Sequence, residues 1–247
     1  MRYLMKKLNW EMIVTKKYQI ILLFSVFCLI SCEKDSSHPL YIKGGGVYDV
    51  EGNFYETVVI GDQEWMAENL ASMLYCNGDS IPFLNGNEYV KIYENNLSKV
   101  NTYGLHYNYL AVEDTAGLCP CGWSVPTELE YAKLINYLGG FVEAMQKMKS
   151  VGTLKNGNGL WVELDKSNRL RGDNSSGFNA VPSGIIFYDQ FMLRDTIATF
   201  WATSDGFEEI IYYEIGNTNY VGKQTYPNSI SYKEVFYYSV RCIKNFP

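Results

Sequence analysis

An apolar run over residues 20–30, eleven long with only Ser25 polar, follows Lys16 and Lys17 near the start of the chain. A basic stretch leading into an apolar core of this length predicts a secretory signal peptide. A bilayer crossing needs roughly 20 apolar residues, so the run is too short for a transmembrane helix. Residues 32–46 are mostly polar and close on Gly44-Gly45-Gly46, the composition of a flexible tether. From Val47 the pattern shortens to that of strands. Strands are predicted at 47–50 and 54–60, with turns at Glu51-Gly52-Asn53 and Gly61-Asp62 and a further strand through Glu64-Trp65-Met66. Residues 71–100 are irregular, with turn signals at Asn77-Gly78 and Asn85-Gly86.

Helical spacing is clearest after Pro126. Thr127 and Glu130 stand at capping-box separation, Tyr131, Leu134, Ile135 and Leu138 then fall on one face, and Gly139-Gly140 ends the helix. A second helix is predicted over 141–148, and another over 103–112 packed by Leu105, Tyr109 and Leu110. Beyond residue 150 the chain returns to strands, at 184–188, 199–203, 210–215, 220–224 and 236–243, separated by the turn clusters 156–159 and 173–177. The pattern predicts an α+β fold, with two or three helices packed on a twisted, mainly antiparallel sheet and long irregular loops.

Charge and cysteine content narrow the picture. Residues 1–31 carry five basic residues and one acidic one, so removing them leaves 216 residues with 16 Lys+Arg and 26 Asp+Glu, a net charge near −10. Such a surface repels phosphate backbones and argues against a nucleic-acid partner. The 21 tyrosines suit half-buried strands and also binding loops, where Tyr gives contact area at low entropy cost. Beyond Cys28 and Cys32, the four cysteines Cys76, Cys119, Cys121 and Cys242 suggest two disulfides in an oxidising compartment. Cys119-Pro120-Cys121 is too tight for a bridge of its own, since neighbouring extended residues point to opposite faces. Cys119 and Cys121 are therefore expected to bond two different partners.

Two resemblances add to this. Leu29-Ile30-Ser31-Cys32 resembles the bacterial lipobox, in which the cysteine thiol takes the lipid, and Glu33-Lys34-Asp35 is similar to the export signal of surface lipoproteins in Bacteroidetes. They imply a signal peptide over 1–31, lipidation at Cys32, and an outer-membrane lipoprotein that is surface-exposed or faces the periplasm. The second resemblance runs along the body. Tyr48-Asp49, Gly52-Asn53, Trp65-Met66-Ala67-Glu68-Asn69-Leu70, Thr102-Tyr103-Gly104, Leu118-Cys119-Pro120, Gly122-Trp123, Val125-Pro126-Thr127, Asn174-Ser175-Ser176-Gly177-Phe178, Phe200-Trp201-Ala202-Thr203-Ser204 and Tyr238-Ser239-Val240-Arg241-Cys242 appear in the order found in the Fibrobacter succinogenes major paralogous domain. The chain resembles that family over about 47–245, implying one domain over 47–247. It departs from the pattern at Cys121, at Ala202 and in a longer, irregular 206–234. The resemblance implies a C-type-lectin-like fold, in which two helices pack on an antiparallel sheet whose ends meet. It also makes a bridge Cys119–Cys242, from the last strand to the helical layer, natural; Cys76–Cys121 would then fasten the irregular loop that holds Cys76, with the swapped pairing as the rival.

Catalytic signals are weak. His38 lies in the tether, and His106 among aromatics reads as a packed core residue. No triad, phosphate loop or metal-ligand spacing stands out. Glu128 and Glu130 are accounted for by capping and the helix dipole. Trp201-Ala202-Thr203 stands where calcium lectins have Trp-Asn-Asp, so no metal and no cofactor is expected. Arg171-Gly172-Asp173 reads as a chance tripeptide. Asp79-Ser80-Ile81, Asp114-Thr115-Ala116 and Asp195-Thr196-Ile197 resemble the Bacteroidetes O-glycosylation motif, which makes Ser80, Thr115 and Thr196 candidate acceptors. The expectation is a non-catalytic surface binding or adhesion module whose ligand is a glycan or a surface protein. Its loops 154–176 and 204–234 would offer Trp161, Tyr188, Tyr212, Tyr213 and Tyr220 as aromatic platforms. The alternatives are a structural subunit of a surface assembly and an enzyme related to formylglycine-generating enzymes.

Overall fold

Two antiparallel sheets share the last strands of the chain. The computed structural model describes residues 40–83, 88–162, 171–204, 206, 208–216 and 221–245. A short hairpin, β2 (Val47–Tyr48) and β3 (Phe54–Tyr55), lies between β1 (Tyr41–Lys43) and β4 (Thr57–Ile60) in the chain. With β5 (Gln63–Met66), β8 (Trp123–Ser124) and β15 (Ile243–Lys244), the smaller sheet has the order β1-β4-β5-β15-β8. The larger sheet holds β6 (Val90–Ile92), β7 (Leu105–Asn108), β9 (Ile185–Phe187), β10 (Gln190–Met192), β11 (Ile197–Ala202), β12 (Glu209–Gly216), β13 (Val221–Pro227) and β14 (Phe236–Ser239). Its path runs β10-β9-β14-β11-β12-β13, with β7 on β14 and β6 on β7. Only the β11–β14 pairing is parallel among those described. Five helices are described: α1 (Val100–Tyr103), α2 (Tyr109–Glu113), α3 (Glu128–Tyr137), α4 (Phe141–Met148) and α5 (Ile230–Val235). Pro39–Pro247 forms one compact unit, and the architecture is α+β.

Strand β11 is buried at every position, and its alternation divides the core. Ala198, Phe200 and Ala202 enter a cluster with Tyr131, Leu134 and Ile135 of α3, Leu138 at its C-terminal end, and Ala144, Met145 and Met148 of α4. Trp201 enters the other cluster, with Tyr107, Tyr238, Leu70 and Cys242. Strand β5 does the same, with Trp65 on the first side and Met66 on the second. A strand buried on both faces has no solvent side to mark with polar residues, so β11 reads as a nearly continuous apolar run, whereas β5 buries Gln63 and Glu64, the latter bonded by Lys244. Helix α3 begins as expected: the Thr127 hydroxyl accepts from the Glu130 backbone at 3.2 Å, and the Glu130 carboxylate accepts from the Thr127 backbone at 2.7 Å.

The bridges are Cys119–Cys242 and Cys76–Cys121, with Cα separations of 5.9 and 5.2 Å, the expected pairing and not its rival. Other expectations change. The predicted helix over 103–112 is split: α1 ends at Gly104, whose φ of +69° and close approach to Asn69 exclude a side chain, and residues 105–108 pair with β14 and β6. His106 is therefore a fully buried strand residue. The predicted strand over 236–243 breaks after Ser239, where the chain crosses from the larger sheet to the smaller. Part of the predicted tether belongs to the body, because Tyr41 pairs with Ile60 and the Gly44 amide donates to the Thr57 carbonyl at 2.8 Å. Within 206–234, the strands predicted at 210–215 and 220–224 are found as the longer β12 and β13, and α5 occupies part of what was expected to be irregular.

Candidate functional site

Arg241 marks the crossing between the sheets and is fully buried. Its Nε donates to Asn69 Oδ1 at 3.2 Å and Nη1 to the Met66 carbonyl at 3.4 Å, while the Phe178 carbonyl and Asn69 also accept from it. The Phe178 and Phe200 rings lie 4.6 and 5.4 Å from the guanidinium carbon. Asn69 in turn donates to the Tyr103 carbonyl at 2.9 Å and to Ser239 Oγ at 3.2 Å. One cation thus ties together four stretches of chain far apart in sequence. Burial lowers its pKa to about 9, with Tyr131 and Glu68 acting in the opposite direction, so it remains charged at neutral pH.

Above this network lies a cleft of about 700 Å³. One wall is the β2–β3 hairpin, set by Asp49. Asp49 Oδ1 accepts from the Glu51 and Asn53 amides at 3.0 and 2.9 Å, and Oδ2 accepts from the Tyr55 hydroxyl at 2.8 Å. The Tyr55 oxygen accepts from the Ala71 amide at 3.1 Å, which clasps the hairpin to the segment after β5. Cross-strand pairing places Tyr48 opposite Phe54 with ring centroids 4.9 Å apart, and both rings are exposed. The facing wall is the turn 150–160, where Gly152 and Gly159 touch backbone to backbone and Asn158 Oδ1 accepts from the Thr153 amide at 3.1 Å. Asn179 also lines the cleft, in a left-handed conformation (φ +54°) fixed by its amide donating to Asn174 Oδ1 at 2.8 Å. Glu68, Asn101 and Thr102 complete the lining; their side chains are exposed and make no hydrogen bond to a described residue. Polar groups that bond no described residue, gathered in one cleft, are available to a ligand.

The aromatic residues expected to bind ligand are scattered. Trp161 is 2% exposed, its Nε1 donates to Ser150 Oγ at 2.9 Å, and the Lys149 ammonium covers its ring at 4.1 Å, so it offers no free face. Tyr213 is likewise core, stacked on Tyr131 at 4.4 Å. Both were expected on loops, but alternation in β12 turns Tyr213 toward α3, and Trp161 closes the turn 150–161 from inside. Tyr212 is half-buried between Tyr226 and Tyr238. Of the described candidates only Tyr188 is well exposed, at the β9–β10 turn with φ +51°, and it does not line the cleft. Tyr220 and Cys32 lie outside the described residues. Ser80 and Thr115 are exposed, whereas Thr196 is half-buried and its hydroxyl donates to the Leu193 carbonyl at 2.7 Å. Among the described residues, no three His, Cys, Asp or Glu side chains form a metal-binding group.

Sequence reasoning missed Phe54, Glu68, Asn101, Asn158 and Asn179 as site residues. The signal for Phe54 was present: a two-stranded hairpin carrying exposed aromatic residues at paired positions has no core to bury them in. The others needed the fold, because residues 68, 101, 158 and 179 share no period.

The cleft draws on segments quoted above for their family resemblance, namely Asn53, Ala67-Glu68-Asn69, Thr102, Gly104 and Arg241. No curated protein and no solved structure matches the chain. The model of the Fibrobacter succinogenes major domain matches residues 58–244, most of the length and nearly all of both sheets. The chain therefore belongs to the Fibrobacter succinogenes major domain family.

Proposed function

We propose that this protein is a non-catalytic binding or adhesion module of the bacterial cell envelope, anchored by lipid at Cys32, with a glycan as ligand. The observation that carries this reading is the cleft: an exposed aromatic ring beside side chains whose hydrogen-bonding capacity the fold leaves unspent. A C-type-lectin-like fold is consistent with α3 and α4 packed on antiparallel strands, and with β5 pairing to β15 so that the two ends of the domain meet. The described lining of the cleft carries one carboxylate, Glu68, and no histidine. Formylglycine-type chemistry needs free cysteines, and Cys119 and Cys121 are both engaged in bridges.

Probing a glycan array with residues 39–247, wild type beside Phe54→Ala, tests the reading. Binding that the variant loses supports it, and an array with no binding to the wild type defeats it. The anchor is tested separately. Cys32→Ser should abolish lipid labelling and leave an unprocessed precursor; a cleaved variant that still partitions with membranes would refute lipidation at that residue. Ser80 and Thr115, exposed on loops joined by the Cys76–Cys121 bridge, are proposed as O-glycan acceptors ahead of Thr196. A structural-subunit role has one observation in its favour, the exposed Tyr137, Phe141 and Val142 around the α3–α4 turn. Concentration-dependent self-association in sedimentation, lost in Phe141→Ser, would move the conclusion toward it.

A further inference from the structure

We infer, resting on the glycan reading above, that the cleft selects an uncharged saccharide and that Glu68 is the residue that makes the selection. Sugar hydroxyls both donate and accept. The cleft supplies the complements: the Glu68 carboxylate as a free acceptor, Asn101 and Thr102 as free donor-acceptors, and the Nδ2 groups of Asn158 and Asn179, which donate to no described residue. A hydroxyl donating to an ionised carboxylate makes a charge-assisted bond, roughly twice as strong as a neutral one. The exposed Phe54 ring, with Tyr48 beside it, offers an apolar face for the C–H side of a pyranose, and the exposed Val151 lines the same cleft.

An acidic sugar would find no such welcome. Among the described lining residues the only cation is Arg241, which is 0% exposed. Its N–H groups are turned to Asn69, Met66 and Phe178, and aromatic rings cover it. A uronate or sulfate entering the cleft would meet the Glu68 carboxylate with no exposed cation to offset it. The size agrees, since clefts of roughly 300–1,000 Å³ take small ligands.

The test is calorimetric titration of residues 39–247 with neutral trisaccharides of β-linked glucose, galactose and N-acetylglucosamine, each beside its uronate or sulfated counterpart. The acidic member of any bound pair should bind at least about tenfold more weakly. Glu68→Gln should weaken the neutral member about tenfold and narrow the gap within the pair. Glu68 also faces the buried Arg241 charge, so Thr102→Val, which removes a cleft hydroxyl outside that network, serves as a second variant. It should weaken binding at an unchanged melting temperature. Acidic members binding as well as neutral ones would overturn the inference while leaving the glycan reading intact. So would a Glu68→Gln affinity within about twofold of wild type when Phe54→Ala abolishes binding. No binding by any sugar of the panel would defeat both.

Discussion

Two buried residues carry charge questions that reach beyond their own positions. His106 is enclosed in β7, and burial holds its pKa down at about 4 against an ordinary 6.5. Above pH 6.5 the ring is neutral in both the folded and the unfolded chain. As pH falls from 6.5 toward 4, the unfolded chain gains a proton that the folded one refuses, so stability is lost across that window. The difference amounts to about 3 kcal/mol. Urea unfolding at pH 7 and pH 4 should show His106→Leu losing about that much less than the wild type between the two pH values. An equal loss in both chains would contradict the assignment. Arg241 makes the complementary case. Removing it as Arg241→Met leaves the Asn69 amide oxygen and two backbone carbonyls without their donor, a cost of about 3 kcal/mol or more. Arg241→Lys should recover little of this in thermal unfolding, because an ammonium lacks the planar fork that reaches several acceptors at once.

At the scale of elements, the bridges fasten regions that differ in how well the core already holds them. Cys119 and Cys242 are buried between the segment leading to α3 and the segment leading into β15. Cys121 is exposed and Cys76 half-buried, and their bridge pins the irregular 71–83 segment. Sequence separations of 123 and 45 give about 5 and about 4 kcal/mol from loop closure in the unfolded chain. Paired serine substitutions should therefore lower stability by similar amounts. The 119/242 pair should also broaden the transition, because it opens the core cluster that contains Trp201. Chemical unfolding of the two double variants measures both effects, and free thiols at all four positions of the oxidised protein would exclude them.

For the molecule as a whole, the acidic balance, a net charge of −6 over the full chain, and the cleft's single carboxylate bear on metal dependence. Calcium requires about six to eight oxygen ligands, several from carboxylates. Ligand binding is expected to survive EDTA, and millimolar calcium should leave the melting temperature unchanged. A rise of several degrees, or loss of binding on chelation, would point to a calcium site and against this reading.

What the sequence determined by itself was local or periodic. The α3 capping box, the amphipathic α4 face, the turns at Gly52 and Gly61 and most strands of the second half are short-range patterns, readable because 3.6- and 2-residue periods leave their mark within a few positions. The Cys119–Cys242 pairing was read from the resemblance, and Cys76–Cys121 from the loop it would fasten. Tertiary structure decided the rest. Residues 105–108 carry a helical spacing, yet they become a strand because β6 and β14 offer backbone partners on both sides, and residues 40–43 leave the tether because β4 has a free edge. Trp161 and Tyr213 looked like platforms because an aromatic residue near a turn has no sequence mark of which face it will take; packing turned both inward. The cleft was illegible for the same reason in reverse. Its walls come from five separate stretches, of which Arg241 bonds only the ones around residues 66–69 and 178, and only the folded chain shows that Glu68, Asn101 and Thr102 were left with no hydrogen bond to a described residue.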